Sequence, residues 1–356
     1  MSIFLRAPGR GEKRGGIMKN GTKKLWVLLF FSVVLTMAAC GRNTDANQSL
    51  TPSVQATRTP DTSPTSEAKT PETGNNSPDA GGAYSVMLPD GTMLELAGIP
   101  QRIISMGPNI TDILFALGAG DRVVGRTDYC DTPKEAADIP SVGSIFTPDI
   151  EAILALEPDL VIGSLLFSEE TQKQMEDLGI KVAVLYDSEN MEGVYHIIRT
   201  LGELTGLTEE GNALAAQTEQ AIEDTIAKYA GDEYADFPAP TVYYVSGYGE
   251  SGDYTSGGTT FIGQILTAAG GKNIAQEVDG WMIAHELLLE ADPQIIIIGE
   301  GMAADFCATP GYEELSAVKN NHVFEFDVYH LLERQSHRNA EIFVQLAELF
   351  HTPLIQ

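Results

Sequence analysis

The sequence predicts an α/β fold: two similar lobes, each with a central parallel sheet, joined by one long backbone helix. Three observations carry this expectation. Short aliphatic segments alternate with helical ones from residue 84 onward; the alternation gives way to two consecutive helices and restarts after Pro238 and Pro240; and segments of the second half echo segments of the first. Strands that are aliphatic throughout, spaced by helices, belong to parallel sheets covered on both faces.

The folded part opens with a hairpin, Tyr84 to Leu96, turning at Pro89-Asp90-Gly91. In the first lobe Arg102 to Met106, Arg122 to Arg126, Asp159 to Gly163 and Lys181 to Leu185 read as strands. Asn109 to Leu117, Asp149 to Leu156 and Gln172 to Leu178 read as the helices between them. Met191 to Leu204 and Thr208 to Tyr229 are helices, the second rich in Ala, Glu and Gln, with Leu214, Ile222 and Ile226 near helical spacing. In the second lobe the strands are Thr241 to Val245, Ile295 to Ile298 and Val323 to Phe326. The helices are Thr260 to Ala269, Ala284 to Ala291 and Arg338 to Phe350. These elements divide the chain into an export signal (1–39), a cysteine and linker (40–83), an N-terminal lobe (84–207), a connecting helix (208–232) and a C-terminal lobe (233–356).

Two echoes point to duplication. Glu151-Ala-Ile-Leu-Ala-Leu-Glu-Pro158-Asp-Leu-Val-Ile-Gly163 pairs with Glu286-Leu-Leu-Leu-Glu-Ala-Asp-Pro293-Gln-Ile-Ile-Ile-Ile-Gly299. Ala116-Leu-Gly-Ala-Gly120 pairs with Thr267-Ala-Ala-Gly-Gly271, each closing a helix with the residue that tolerates a left-handed cap.

Charge excludes one class of partner. Beyond Cys40 the chain carries 15 basic against 49 acidic residues, a net charge of −34. A phosphate backbone would be repelled, so nucleic acid is no partner. Three cysteines without a CxxC pair offer neither a disulfide scaffold nor a cysteine-based metal centre. Six scattered histidines without His-x-His or His-Glu-x-x-His lack the ligands of a zinc or manganese site. No cofactor is expected.

The N-terminus reads as an export segment. Lys19, Lys23 and Lys24 precede an apolar run, Leu25 to Ala39, that is too short for a comfortable span, and Ala38-Ala39-Cys40 resembles a bacterial lipobox whose cysteine is lipidated. An ordinary signal peptide cut after Ala39, or an uncleaved anchor, also fits, and Met18 offers a better start than Met1. Residues 41 to 83 hold eight Thr, five Ser and five Pro and no aromatic residue, too little apolar area to offset ordering entropy. A flexible chain of this length reaches about 35 Å. The expectation is a tethered, lipid-anchored domain on the extracytoplasmic face of the cell membrane.

Pro100-Gln-Arg-Ile-Ile-Ser105, Asn109-Ile-Thr-Asp-Ile-Leu114, Pro158-Asp-Leu-Val-Ile162, Thr259-Thr-Phe-Ile-Gly-Gln-Ile-Leu266, Ala269-Gly-Gly-Lys-Asn-Ile274 and Leu346-Ala-Glu-Leu-Phe-His351 occur in this order. With them the chain, over roughly residues 84 to 353, resembles the iron-chelate and vitamin B12 family of ABC-transporter substrate-binding proteins, the helical-backbone class. The resemblance implies a ligand cleft between the lobes, lined by loops at the C-terminal ends of the strands, and delivery to the transmembrane subunits of an ABC permease.

Those loops are rich in rings. Tyr129, Phe146, Tyr248, Tyr254 and Trp281 offer flat apolar faces with few rotamers to freeze, suited to a large rigid chelate. The competing reading makes each of them rim packing of its own lobe. The resemblance to vitamin B12 binders supports Tyr129, Tyr254 and Trp281; at Phe146 the aligned place holds Ile145. It also makes a cobalt corrinoid the first expected ligand, ahead of a ferric siderophore or heme. Arg334 matches a cleft arginine of ferric-siderophore binders, whereas Arg338 suits helix-start packing. The resemblance further puts a permease-docking carboxylate at Glu151, while the matching place in the second lobe holds Thr267. Cys130 and Cys307 read as small buried residues before they read as metal ligands, and His330 is a weak candidate for an axial heme ligand.

A rival class is a lipid-anchored enzyme using Asp128, Asp131, Glu250 and Asp253 as acid and base. No Gly-x-Ser-x-Gly elbow, P-loop or dinucleotide fingerprint supports it. The expected protein is not an enzyme.

Overall fold

The computed structural model describes residues 82–234 and 237–354, which belong to one compact unit, Glu72–Gln356. The expected export signal, the lipidated Cys40 and the linker up to residue 81 lie outside the described residues.

Strands β1 (Tyr84–Met87) and β2 (Met93–Leu96) form the expected antiparallel hairpin. Gly91 takes φ 83° at its turn, and the Asp90 carboxylate accepts the Thr92 amide at 2.8 Å. The Tyr84 hydroxyl donates to the Leu204 carbonyl at 2.8 Å, tying the hairpin to the first lobe.

That lobe runs β3 (Ile103–Met106), α1 (Pro108–Ala116), β4 (Val123–Arg126), α2 (Ile150–Ala155), β5 (Leu160–Gly163), α3 (Glu169–Asp177), β6 (Val182–Val184) and α4 (Met191–Leu204). Helix α5 (Thr208–Tyr229) follows. The second lobe contains β7 (Thr241–Val245), β8 (Asp253–Tyr254), α6 (Phe261–Ala268), β9 (Lys272–Asn273), β10 (Met282–Ile283), α7 (His285–Ala291) and β11 (Ile295–Gly299). It closes with α8 (Ala303–Ala308), α9 (Ser316–Lys319), β12 (Val323–Phe326), α10 (Val328–Leu331) and α11 (Asn339–Phe350).

The first sheet is parallel, ordered β4-β3-β5-β6, and the second is parallel, ordered β9-β7-β11-β12. Counted along each lobe's sheet, both orders read second, first, third, fourth. The sequence echoes fall on equivalent elements: the Glu-to-Gly segments lead into the third strands β5 and β11, and the glycine-closed helices α1 and α6 lead into the second strands. Gly118 and Gly270, one residue past the caps of those helices, both have positive φ, 85° and 100°. Glu157 and Asp292, each just before the proline of its echo, share the left-handed region at φ 45° and 40°. The next side chains even repeat a task. Asp159 accepts the amides of Gln101 and Arg102 at 2.7 and 3.0 Å, and Gln294 accepts the Thr241 amide at 3.0 Å.

Side-chain alternation sorts the central strands of both parallel sheets between two apolar layers. Ile103, Leu160, Ile162, Val242, Tyr244, Ile295 and Ile297 face one continuous core shared by both lobes. Ile104, Met106 and Val161 face a second core, and Tyr243, Val245, Ile296 and Ile298 a third. Burial on both faces accounts for strands that read as unbroken aliphatic runs.

The shared core is closed by α5, which packs on α4 of the first lobe and on α11 of the second. Where α4 meets α5 the backbones nearly touch, and two glycines make this approach feasible. A Cβ placed on Gly202 would sit 2.8 Å from the Leu207 carbonyl oxygen and 2.9 Å from Gly211 Cα. Both obstacles are backbone, so neither can rotate away. Gly202→Ala is therefore expected to destabilise by about 1–3 kcal/mol despite alanine's higher helix propensity. An unchanged or raised urea midpoint would contradict the close approach.

Two local departures have plain causes. Helix α3 starts three residues before the expected Gln172, because the Ser168 hydroxyl accepts the Thr171 amide at 3.1 Å and caps the helix there. The stretch between β11 and β12 and the one after β12 hold α8, α9 and α10, helices of four to six residues with too few turns to leave a periodic signal. Among the described residues no helix is long and apolar enough to cross a membrane.

Candidate functional site

The C-terminal rims of the two sheets meet. Asn109, opening α1 after β3, donates to the Gln335 carbonyl at 3.5 Å, and Gln264 of α6 donates to the Glu189 carbonyl at 2.8 Å. The strongest tie is Arg334, which follows β12. Its Nη2 donates to Asp131 Oδ1 at 2.6 Å and to the Tyr129 carbonyl at 3.3 Å, and its Nη1 donates to the Thr132 hydroxyl at 3.3 Å. Loop 127–133 after β4 thus faces loop 327–338 after β12, where open parallel sheets place their ligands.

The rims carry exposed rings. Tyr129, Phe146 and Trp281 are 44%, 51% and 49% exposed. Phe146 and its neighbour Ile145 point oppositely, since Ile145 is buried in the first lobe's second core. Tyr254 is half-buried on β8 opposite Met282 of β10, and its hydroxyl donates to the Ser251 carbonyl at 3.1 Å. Trp281 precedes β10, and its carbonyl accepts the Thr255 amide at 3.0 Å, so one short ribbon carries both rings. Tyr248 sits differently. It is half-buried, edge-on to Phe306 at 5.1 Å and to Tyr312 at 5.9 Å, and packs on the second lobe's core.

Sequence reasoning passed over further apolar side chains at the same rims. Leu165 and Leu166 follow β5, Tyr186 follows β6, Tyr329 follows β12, and all are exposed. The available signal was position: each stands just past an aliphatic strand. Exposed apolar groups gathered at facing rims mark a binding surface better than scattered ones do.

Arg334 is 4% exposed, with the Tyr329 ring 4.4 Å from its guanidinium carbon. In this arrangement it grips the opposite lobe. Burial would lower its pKa, but bonds to Asp131 and Tyr329 outweigh that and raise it. Burial likewise pushes the Asp131 carboxyl up, and the bonds from Arg334 and His330 outweigh it and hold it below the ordinary carboxylate value. His330 has both ring nitrogens engaged, Nδ1 with Asp327 at 2.7 Å and Nε2 with Asp131 at 3.4 Å. Arg338 pairs with Glu341 at 3.3 Å at the start of α11.

Behind the second rim lies a carboxylate hub. Asp253, 3% exposed, accepts the Tyr312 hydroxyl at 2.5 Å and bonds His285 Nδ1 at 2.8 Å, while the Tyr312 oxygen accepts the Gly249 amide at 2.9 Å. The Tyr312 hydroxyl is pushed up to about 12 by burial and by its bond to Asp253, so it stays a donor. Asp253 therefore fixes the loop carrying Tyr248 and the ribbon carrying Tyr254 and Trp281. Asp128 accepts the Ser141 hydroxyl at 2.5 Å, bracing the loop that carries Tyr129.

Cys130 is buried against the Thr127 hydroxyl at 3.1 Å, and Cys307 is half-buried, its thiol pushed up by burial. No cluster of three His, Cys, Asp or Glu side chains able to hold a metal ion occurs among the described residues. Glu151 is exposed in the first turn of α2, beyond the Asp149 cap. At the corresponding place Thr267 bonds Gly263 and Gln276, and Gln264 is engaged with Glu189 and Thr259. A cavity of about 430 Å³ lies elsewhere, at the far end of the second sheet beside Pro240, Gln294 and His322, each just before a strand.

The family described as periplasmic binding protein matches residues 103–329, well over half of the chain. The chain is a periplasmic binding protein. It is similar to the uncharacterized ABC transporter substrate-binding lipoprotein YvrC of Bacillus subtilis, 31% identical over 264 residues that span 70% of this chain and 79% of YvrC. It is also similar to a cobalamin-binding protein of Halobacterium salinarum, 28% identical over 290 residues, 77% of this chain and 76% of the relative. Among solved structures, the periplasmic heme-binding protein RhuT from Roseiflexus sp. RS-1, in apo form, superposes with a TM-score of 0.63 at 25% identity over 70% of this chain and 98% of RhuT. As a member of a substrate-binding family of ABC transporters, this periplasmic binding protein serves transport, with a small molecule and a permease as partners, and is not an enzyme.

Proposed function

We propose that the protein captures a cobalt corrinoid, with a ferric chelate as the next choice, between its lobes and hands it to an ABC permease. The observation carrying this reading is the set of exposed rings on the two facing rims. Tyr129 and Phe146 stand on one and Trp281, with Tyr254 beside it, on the other. Two flat apolar walls suit a large rigid ring system, whose burial on closure provides the affinity. The cobalamin-binding name of one relative supports a corrinoid, and the heme-binding name of a solved neighbour makes heme the competitor to test. Lipidation at Cys40, an extracytoplasmic site of action and permease docking through Glu151 belong to the same proposal.

Quenching of tyrosine and tryptophan fluorescence on titration with cyanocobalamin, heme and ferric chelates tests it. Submicromolar quenching by cyanocobalamin is the expected result, and binding of heme or a siderophore without response to cyanocobalamin would overturn the ligand ranking. Trp281→Ala and Tyr129→Ala should each weaken binding by about 1–3 kcal/mol. Unchanged affinity in both would assign these rings to rim packing.

A further inference from the structure

We infer that Asp131 is a charge-selectivity residue: by neutralising Arg334 it leaves the cleft receptive to neutral or cationic metal complexes and closed to polyanionic ones. The inference rests on the proposed function and adds the electrostatic class of the ligand.

Loops 127–133, 246–258 and 327–338 together carry six carboxylates and two guanidinium groups. Neither guanidinium is uncommitted. Arg338 bonds Glu341 at 3.3 Å, and Arg334 is buried, with Asp131 at 2.6 Å on one side and the Tyr329 ring against it. His330 lies between Asp327 and Asp131, bonded to both. Asp112, buried on α1 among the same groups, adds a carboxylate whose oxygens have no hydrogen-bond partner in the protein. Arg334 Nε is buried without a hydrogen-bond partner, yet each of the two guanidinium groups has a carboxylate beside it, so an anionic ligand would meet cations whose charge is already matched and carboxylates that repel it, inside a chain already strongly acidic. Asp131 is the decisive member because it comes from the lobe opposite Arg334 and is half-exposed, so it can be changed without opening a core.

The experiment uses the purified protein and three probes: aquacobalamin as a cation, cyanocobalamin as a neutral complex, and a ferric tris-catecholate as a polyanion. Wild type is expected to bind the two cobalamins at least about tenfold more tightly than the tris-catecholate. Asp131→Asn, which removes the countercharge of the guanidinium, should strengthen tris-catecholate binding by about tenfold and weaken aquacobalamin, and Asp131→Glu should restore the original order. A ratio of anion to cation affinity that does not move in Asp131→Asn would overturn the inference, as would wild-type preference for the tris-catecholate. Failure of wild type to bind any of the three would sink the proposed function and this inference with it.

Discussion

Replacing Asp253 by alanine is expected to lower stability by about 2–4 kcal/mol and to weaken ligand binding, although Asp253 presents almost no surface to a ligand. The carboxylate is 3% exposed and receives the Tyr312 hydroxyl at 2.5 Å and His285 Nδ1 at 2.8 Å. Removing it strands a tyrosine hydroxyl in the second lobe's core and cuts the link from β8 to the start of α7. Deleting one partner of a buried charge-assisted bond costs more than the bond's net worth, because the group left behind stays desolvated. The binding effect follows from position. Tyr312 holds the Gly249 amide at 2.9 Å, β8 carries Tyr254, and β10, paired with β8, is preceded by Trp281. Without the hub these rings lose their preorganisation, and each must be ordered at the moment of binding. Urea unfolding together with fluorescence titration checks both parts. Lost stability with unchanged affinity would show that the ribbon holds its shape unaided, and unchanged stability would remove the hub altogether.

Asp112→Asn is expected to act in the opposite direction and to depend on pH. Asp112 is 3% exposed on α1, with neither oxygen bonded within the protein, and burial pushes its pKa from 3.8 up to about 6, against the opposing pull of Arg334, Arg338 and His330. A carboxyl with a raised folded-state pKa binds its proton more tightly folded than unfolded. Stability therefore falls as pH rises from about 4 to about 6, and the full penalty is present above that range. The amide carries no charge to desolvate, so the variant should gain about 1–3 kcal/mol at pH 7.5, the upper figure being the whole shift and the lower allowing for an unbonded amide. The gain should shrink to a few tenths of a kcal/mol at about pH 4 and vanish toward pH 3, where wild-type Asp112 is protonated in both states. Urea midpoints of the two proteins at pH 4, 5, 6 and 7.5 measure this. A pH-independent difference would mean that Asp112 acts through packing, and a loss at pH 7.5 would mean that its charge is compensated by Arg334 and Arg338.

The two predictions separate what was legible in the chain from what was not. Met191–Leu204, Thr208–Tyr229, Thr241–Val245 and Val323–Phe326 stand in the structure with the bounds their periodicity predicts. The duplication was legible as well, since a glycine cap and a proline before a strand are local backbone requirements that each lobe meets separately. That Tyr129, Phe146 and Trp281 stand exposed on rim loops was legible because rim loops follow strands and strands are readable. Tyr248 looked identical to them in sequence, yet its ring rests against Phe306 and Tyr312, residues about 60 positions downstream. Arg334 was read as a ligand contact because it is one of few cations in an acidic chain and matches a cleft arginine of ferric-siderophore binders; its bond with Asp131, 203 positions away, was not legible.

The sequence alone determined the two-lobed α/β architecture, the order of its elements and the loops that form the rims, because periodicity, caps and turns act over a few residues at a time. Only the tertiary structure decided which charges are spent on one another, that Asp253 is a brace and that Asp112 is stranded. Those outcomes depend on which loops meet across the cleft, and Coulomb and desolvation energies follow distance in space and exclusion of water, neither of which is written in the spacing of residues along the chain.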